Sequence, residues 1–264
     1  SKDWFNAWDS MRKSLGSEEA YKAVMSDIMK RENYQTIVGA DGVKQVPFFQ
    51  KAGLHLTDLL DMTSREEEMV SSLAEKIPFK IGAGVRASNR AYTSFANKLR
   101  ADHFDRLINS AEAAGLKPRE NLDLAQNIAS FVNNATGRGD LPGGLERHAA
   151  ALNSIFFSPR FMASRLQMLS PANYLKNIHT PEGRFVAKQY TKSALALASS
   201  WLAETQLARL AGAEVSDDTK STDFGKIKIG NTRLDPPAGF QQWLVLADRL
   251  RTGEYTTVGG NERE

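Results

Sequence analysis

Large apolar side chains fall at helical spacing from the start of the chain, where Trp4, Phe5, Trp8, Met11 and Leu15 share one face before Gly16 breaks the run. Ser17 then serves as an N-cap. Glu18 and Glu19 sit in the first turn, where negative charge suits the helix dipole, and Ala20, Tyr21, Val24, Met25, Ile28 and Met29 form the stripe of a second helix ending near Asn33. From 36 to 49 the pattern changes to Thr-Ile-Val, a Gly-Ala-Asp-Gly turn and Val-Lys-Gln-Val, which is either a hairpin or a long loop. A capping box of Ser64 and Glu67 opens the next helix, which runs to the residue before Pro78.

The first long element covers 81–115. Tyr92, Phe95, Leu99, Phe104, Leu107, Ile108 and Ala111 keep helical spacing while Arg90, Lys98, Arg100, Asp102 and Arg106 interleave, and Gly115 closes the helix. A further helix is expected over 121–132, then turn chemistry over 133–144, and another helix over 145–157. Ser158-Pro159 opens a turn with Arg160, Phe161, Met162 and Arg165. Ser170-Pro171 and Thr180-Pro181-Glu182 are helix starts with proline at the first helical position, and the second of these leads a helix to about Ala211 with Gly212 as its stop.

The most particular stretch is 221–243. Lys226 to Ile229 alternate polar and apolar, Gly230, Asn231 and Thr232 turn the chain, and Arg233 to Asp235 resume the alternation, so a short hairpin is predicted, stopped by Pro236 and Pro237. An isolated hairpin is marginal in water, so Ile227, Ile229 and Leu234 are expected to rest on neighbouring helices. A last helix covers 240–251, and the tail from Thr252 is polar and expected to be loose.

These elements define a mainly α fold, a multi-helix domain with one or two small β-hairpins. The expected division is 1–64, holding the N-terminal helices and hairpin, and 65–264, holding the rest, in one continuous globular unit. With 264 residues, 41% of them hydrophobic, the chain can bury a substantial core. A formal charge of +3 permits contact with nucleic acid or anionic membrane without demanding it. The absence of cysteine removes disulfides, thiol nucleophiles and thiolate metal sites. Ser1 stands where an unprocessed chain has methionine, so a processed product or a piece of a longer protein is expected. The uncharged run 193–203 is far shorter than the ~20 apolar residues of a spanning helix, so the chain is expected to be soluble.

Candidate chemistry is sparse. Gly82-Ala-Gly84-Val-Arg-Ala87 spells a dinucleotide fingerprint, yet Pro78 spoils the preceding strand and no alternating βα pattern surrounds it, so glycines allowing close helix packing are the better account. Asp223-Phe224-Gly225 repeats a kinase metal-binding triplet without the other kinase elements, and Asp223 reads better as a turn residue leading into the hairpin. His55, His103, His148 and His179 are far apart, and none has metal-ligand spacing. Asp217-Asp218 reads as a loop pair, Glu66-Glu67-Glu68 as a solvated face, and Arg138-Gly139-Asp140 as an adhesion tripeptide of almost no specificity. No catalytic residue, metal ligand or cofactor site is therefore predicted.

Arginines form the more informative set. Arg138, Arg147, Arg160 and Arg165 fall within or beside turns, with Phe156, Phe157 and Phe161 interleaved with the last two, a composition suited to phosphate and base contact. The favoured alternative makes the phenylalanines core anchors and pairs the arginines with carboxylates, since no basic stripe develops elsewhere.

Four segments taken in order carry a resemblance: ASNRAYTSFANKLRADHFD at 87–105, FVNNATGRGDLP at 131–142, FFSPRFMASRLQML at 156–169, and STDFGKIKIGNTRLD followed by GFQQW. Over about 66–257 the chain resembles the large polyvalent protein-associated domains of bacteriophages and mobile elements, with DFGKIKIGNTR and NNATGRG the most specific stretches. The resemblance implies a non-enzymatic structural or interaction module of a long viral protein that travels inside the virion and enters the host with the DNA. It carries over no catalytic residues. Family members have a more hydrophobic helix before DFGKI, which Glu204, Gln206 and Arg209 interrupt here.

The expected partners are other virion or ejection proteins, or further copies of the chain. One alternative is a nucleic-acid-binding module whose Arg138, Arg160, Arg165, Lys226, Lys228 and Arg233 contact phosphate. Another is a conduit component whose long helix at 181–211 lies against a membrane or partner helices during ejection.

Overall fold

The structure, a computed structural model, describes residues 2–38, 42–57, 79–139, 159–237, 239–256 and 262–263. The helices expected after Ser64 and over 145–157 lie outside the described residues, as do Glu66 to Glu68, Asp140, Arg147, His148, Phe156 and Phe157. The described chain is mainly helical with small antiparallel sheets, and it divides into two compact units, 1–187 and 188–264.

In the first unit, α1 (Lys2–Gly16) and α2 (Glu18–Met29) pack on α4 (Phe79–Ala113), with the short α3 (Phe48–Lys51) between them in sequence. The Ser17 hydroxyl accepts the Ala20 N–H at 3.1 Å, as its capping role requires. α1 turns its narrow side inward, burying Ala7, Ser10 and Ser14, and Ser14 Oγ donates to Ser94 Oγ at 2.9 Å where α1 meets α4. Small residues let the two helices approach. The aromatic face predicted from spacing exists but is half exposed, with Trp4 and Trp8 stacked at 5.6 Å. Strands β1 (Ile37–Val38) and β2 (Lys44–Gln45) pair antiparallel, as the hairpin reading of this stretch expects, while Phe48 and Phe49 already belong to α3.

The core lies between α4 and α5 (Leu122–Ala135), where Phe104, Leu107, Ile108, Leu124, Ile128, Phe131 and Val132 are fully buried. Asn121 caps α5 by accepting the Leu124 N–H at 3.1 Å. Two buried asparagines hold the segment 53–57 against these helices. Asn97 accepts from the Thr57 N–H and donates to its carbonyl, at 2.8 and 2.6 Å, and Asn133 does the same for the His55 N–H and the Gly53 carbonyl, at 3.0 and 2.9 Å.

Gly82 and Gly84 sit inside α4 rather than in a loop before it. Among the described residues, a Cβ at Gly84 would meet nothing within 4 Å. The segment opened by Ser158-Pro159 is no turn but a helix, α6 (Pro159–Leu169), because proline fits the first helical turn, where its missing N–H costs nothing. After α7 (Pro171–Leu175), Thr180 Oγ1 accepts the Gly183 N–H at 3.0 Å and starts α8 (Pro181–Leu210). This helix is roughly 45 Å long.

In the second unit, β3 (Glu214–Val215), β4 (Ile227–Ile229) and β5 (Thr232–Leu234) form an antiparallel sheet in that order. The hairpin turn is tighter than expected, since Thr232 already pairs with Ile229. Ile227 is buried, but Ile229 and Leu234 are about half exposed, so only one of the three expected apolar anchors is covered. Helix α9 (Phe240–Thr252) follows Gly239, and within the tail β6 (Tyr255–Thr256) pairs antiparallel with β7 (Glu262–Arg263).

Candidate interaction surfaces

The Asp223-Phe224-Gly225 triplet is a structural latch. Gly225 takes φ +63°, its carbonyl accepts the Trp201 Nε1–H at 3.0 Å, and Phe224 meets the Trp201 ring edge-on at 5.6 Å. Trp201 belongs to α8, so the triplet fastens the hairpin to that helix. Asp223 receives Arg233 Nε at 2.8 Å and stands 3.8 Å from Lys226 Nζ, while Lys228 Nζ pairs with Glu214 at 2.7 Å. All three hairpin cations proposed for phosphate contact therefore face carboxylates. A phosphate arriving there competes with an anion already in place.

The other three candidates come together around the turn after α5. Gly137 and Gly139 bring this turn against α6, where the Gly139 N–H donates to the Arg160 carbonyl at 3.2 Å. A Cβ at Gly137 would lie 3.0 Å from the Phe161 ring, and one at Gly139 would lie 2.6 Å from Ser164 N. Arg165 stacks its guanidinium 4.1 Å above the Phe161 ring, and burial lowers its pKa. Arg138 donates to Thr57 Oγ1. The missed member is Arg100, 3% exposed, whose pKa is pushed down to about 10 by burial and then by the charge of Arg138. Its signal was present in the sequence: Asn97, Arg100, Phe104, Leu107 and Ala111 share one helical stripe, so Arg100 lies on the buried face.

An open cavity of about 530 Å³ in the first unit is lined by Asp3, Arg31, Lys98, Asp102, Asp105 and Arg106, among others. Arg31 bonds Asp27 and Asp102 at 2.8 Å and Asp105 at 3.0 Å, Lys98 bonds Asp102 at 3.0 Å, and Arg106 bonds Asp3 at 2.7 Å. These pairs tie α1 and α2 to α4. A carboxylate acting here as a general base must first break an ion pair. His103 is held neutral, its pKa pushed down to about 4 by burial and then by Arg106, and its ring meets Phe131 edge-on. Among the described residues no group of histidine, aspartate and glutamate side chains is placed to hold a metal ion, and no helix is long and apolar enough to cross a membrane.

Among the described residues, α8 carries four strongly exposed leucines. Leu195, Leu202, Leu207 and Leu210 are 63, 62, 66 and 86% exposed. At 100° per residue all four fall within about 140° of the helix circumference, whereas Trp201 and Thr205 face the other way into the second unit. Glu204 lies outside this arc, whereas Gln206 falls within it and Arg209 just beyond its edge. Among the described residues, then, the chain is mainly helical, with exposed leucines along α8 and arginines gathered at the turn after α5. Comparison with family models, with curated proteins and with solved structures finds no match for it.

Proposed function

We propose that the chain is a non-enzymatic interaction module of a bacteriophage protein, packaged in the virion and carried into the host with the genome, which assembles through α8. The motif resemblance over 66–257 supports the viral setting. The interaction role rests on one observation, the four exposed leucines on a single helix face. Full burial of a leucine is worth ~1.5–3 kcal/mol, so covering what is exposed of the four stabilises a complex by about 4–8 kcal/mol from one side. Association costs ~4–15 kcal/mol in lost freedom. A contact in which both partners contribute such a face exceeds the lower part of that range, and one in which a single partner does so barely reaches it. Helix-to-helix contact with another copy, or with a similarly amphipathic virion or ejection protein, is therefore the favoured mode. Ala196, Ser199 and Ala203 lie among the leucines and leave room for a second helix to approach.

Light scattering of the purified chain, alone and with duplex DNA, tests this. The expected result is a discrete oligomer without DNA. A monomer at all concentrations that gains mass only with DNA would overturn the proposal in favour of nucleic-acid binding.

A further inference from the structure

Helix α9 shows its apolar side to solvent. At 100° per residue, Trp243, Leu244, Leu246, Ala247 and Leu250 fall within about 160° of its circumference, joined there by one charged residue, Arg251. Leu244, Leu246 and Leu250 are 47, 44 and 78% exposed. The opposite side, turned into the second unit, carries Gln241, Gln242, Asp248, Arg249 and Thr252 beside Val245. Polar contacts hold it there: Gln242 Nε2 donates to the Thr222 carbonyl at 3.2 Å, Arg249 Nε donates to the Lys220 carbonyl at 2.8 Å, and Asp248 accepts from Thr219 Oγ1 at 2.7 Å. Gln241 is fully buried, and neither atom of its amide has a hydrogen-bond partner. Burying an unsatisfied amide is unfavourable, and so is leaving leucines in water. A free-standing unit gains from the reverse orientation, whereas a unit whose outer face is covered by a partner gains from this one.

The leucine face of α8 stands in the same relation to its unit. Trp201 of α8 reaches Phe224 and Gly225, and α9 reaches Thr219, Lys220 and Thr222, so the segment between β3 and β4 lies between the two helices. Both apolar faces point away from that segment, and a single copy cannot bring them together. We propose that the α9 face receives the leucine face of α8 from a second copy of this chain, an inference that rests on the assembly role proposed for α8. The lengths agree, since Leu202 to Leu210 covers ~12 Å along α8 and Trp243 to Leu250 covers ~10 Å along α9. Pairing α8 with α8 would leave the α9 face in water in every copy, whereas pairing α8 with α9 covers both. The contact is heterologous and repeats head to tail, so the discrete oligomer expected of the chain is a closed ring.

The test is complementation between two variants of the whole chain, one with Leu202→Ser and Leu210→Ser in α8, the other with Leu246→Ser and Leu250→Ser in α9. Sedimentation equilibrium gives the masses, and circular dichroism checks the fold. Each variant keeps one intact face, so each is expected to be monomeric alone. An equimolar mixture joins the intact α8 face of one to the intact α9 face of the other and is expected to give a one-to-one dimer that grows no further. Leu210→Ser and Leu250→Ser taken singly, at the most exposed leucine of each face, should each weaken self-association about tenfold or more, and they replace any double variant that does not fold. An α9 variant that assembles as wild type does, beside a monomeric α8 variant, would overturn docking on α9 and leave the assembly role of α8 standing. A mixture that stays monomeric would overturn it as well. A monomeric wild type, or an α8 variant that assembles as wild type does, would overturn both readings.

Discussion

Replacing Gly225 with alanine tests whether the turn before the hairpin is latched by Trp201. A Cβ at this position would lie 2.1 Å from Trp201 Cζ2 and 2.7 Å from Cε2, on a backbone with φ +63°. The left-handed conformation costs alanine about 1 kcal/mol relative to glycine. Relief of the clash requires the indole to move, which forfeits its hydrogen bond to the Gly225 carbonyl, a net loss of about 1 kcal/mol. The edge contact with Phe224 goes with it, worth about 1 kcal/mol more. Gly225→Ala should therefore destabilise the second unit by about 3 kcal/mol, a large part of the ~4–11 kcal/mol available to a unit of this size. Urea unfolding followed by circular dichroism gives the number, and a double-mutant cycle gives the cause. In a Trp201→Ala background the clash and both contacts are already gone, so only the backbone term of about 1 kcal/mol should remain, a coupling of about 2 kcal/mol. An equal cost of Gly225→Ala in both backgrounds would refute the latch.

Three further outcomes follow from the same geometry. Asn97→Ala strips the Thr57 N–H and carbonyl of their partners and should cost about 2–4 kcal/mol in urea unfolding, because two buried backbone groups lose hydrogen bonds. His103 has a folded pKa of about 4 against ~6.5 when unfolded. The unfolded chain therefore takes up a proton that the folded chain refuses, and stability is lost as pH falls from about 6.5 to about 4, then changes no further from this group. The depressed value corresponds to about 3 kcal/mol in all, of which about 2–3 kcal/mol is lost by pH 4.5, and His103→Gln should remove that slope, as stability measured at pH 7.5 and pH 4.5 will show. Asp223→Asn, by contrast, unpairs Arg233 and Lys226 near the surface and should cost no more than about 1 kcal/mol in the same assay.

Helix starts and stops were legible in the sequence because capping chemistry is local. Ser17 accepts the N–H group its position predicts, and Gly115 and Gly212 end their helices with positive φ. The hairpin at 227–234 was legible for the same reason, as alternation and a Gly-Asn turn need no distant partner. What could not be read was which face meets which neighbour. Spacing grouped Trp4, Phe5 and Trp8 on one side of the first helix, yet α1 buries Ala7, Ser10 and Ser14, because close approach to α4 depends on side-chain size at the contact. The same blindness affected the cations. Arg233 and Lys228 find Asp223 and Glu214 only once β3, β4 and the turn are assembled, and Arg100 sits among charged residues in sequence but on the apolar stripe in space. The Asp223-Phe224-Gly225 triplet, read as a coincidence with kinases, has a packing role that depends on Trp201 lying more than twenty residues earlier.

The most direct test of the assembly claim is the concentration dependence of mass, by sedimentation equilibrium, for wild type against a variant with Leu195→Ser, Leu202→Ser and Leu210→Ser. These positions are exposed, so the folded unit should tolerate the changes, as an unaltered circular dichroism spectrum would confirm. The account predicts a wild-type mass that rises to a fixed multiple of the monomer and a variant that stays monomeric over the same range. Identical masses for the two proteins at every concentration would contradict it.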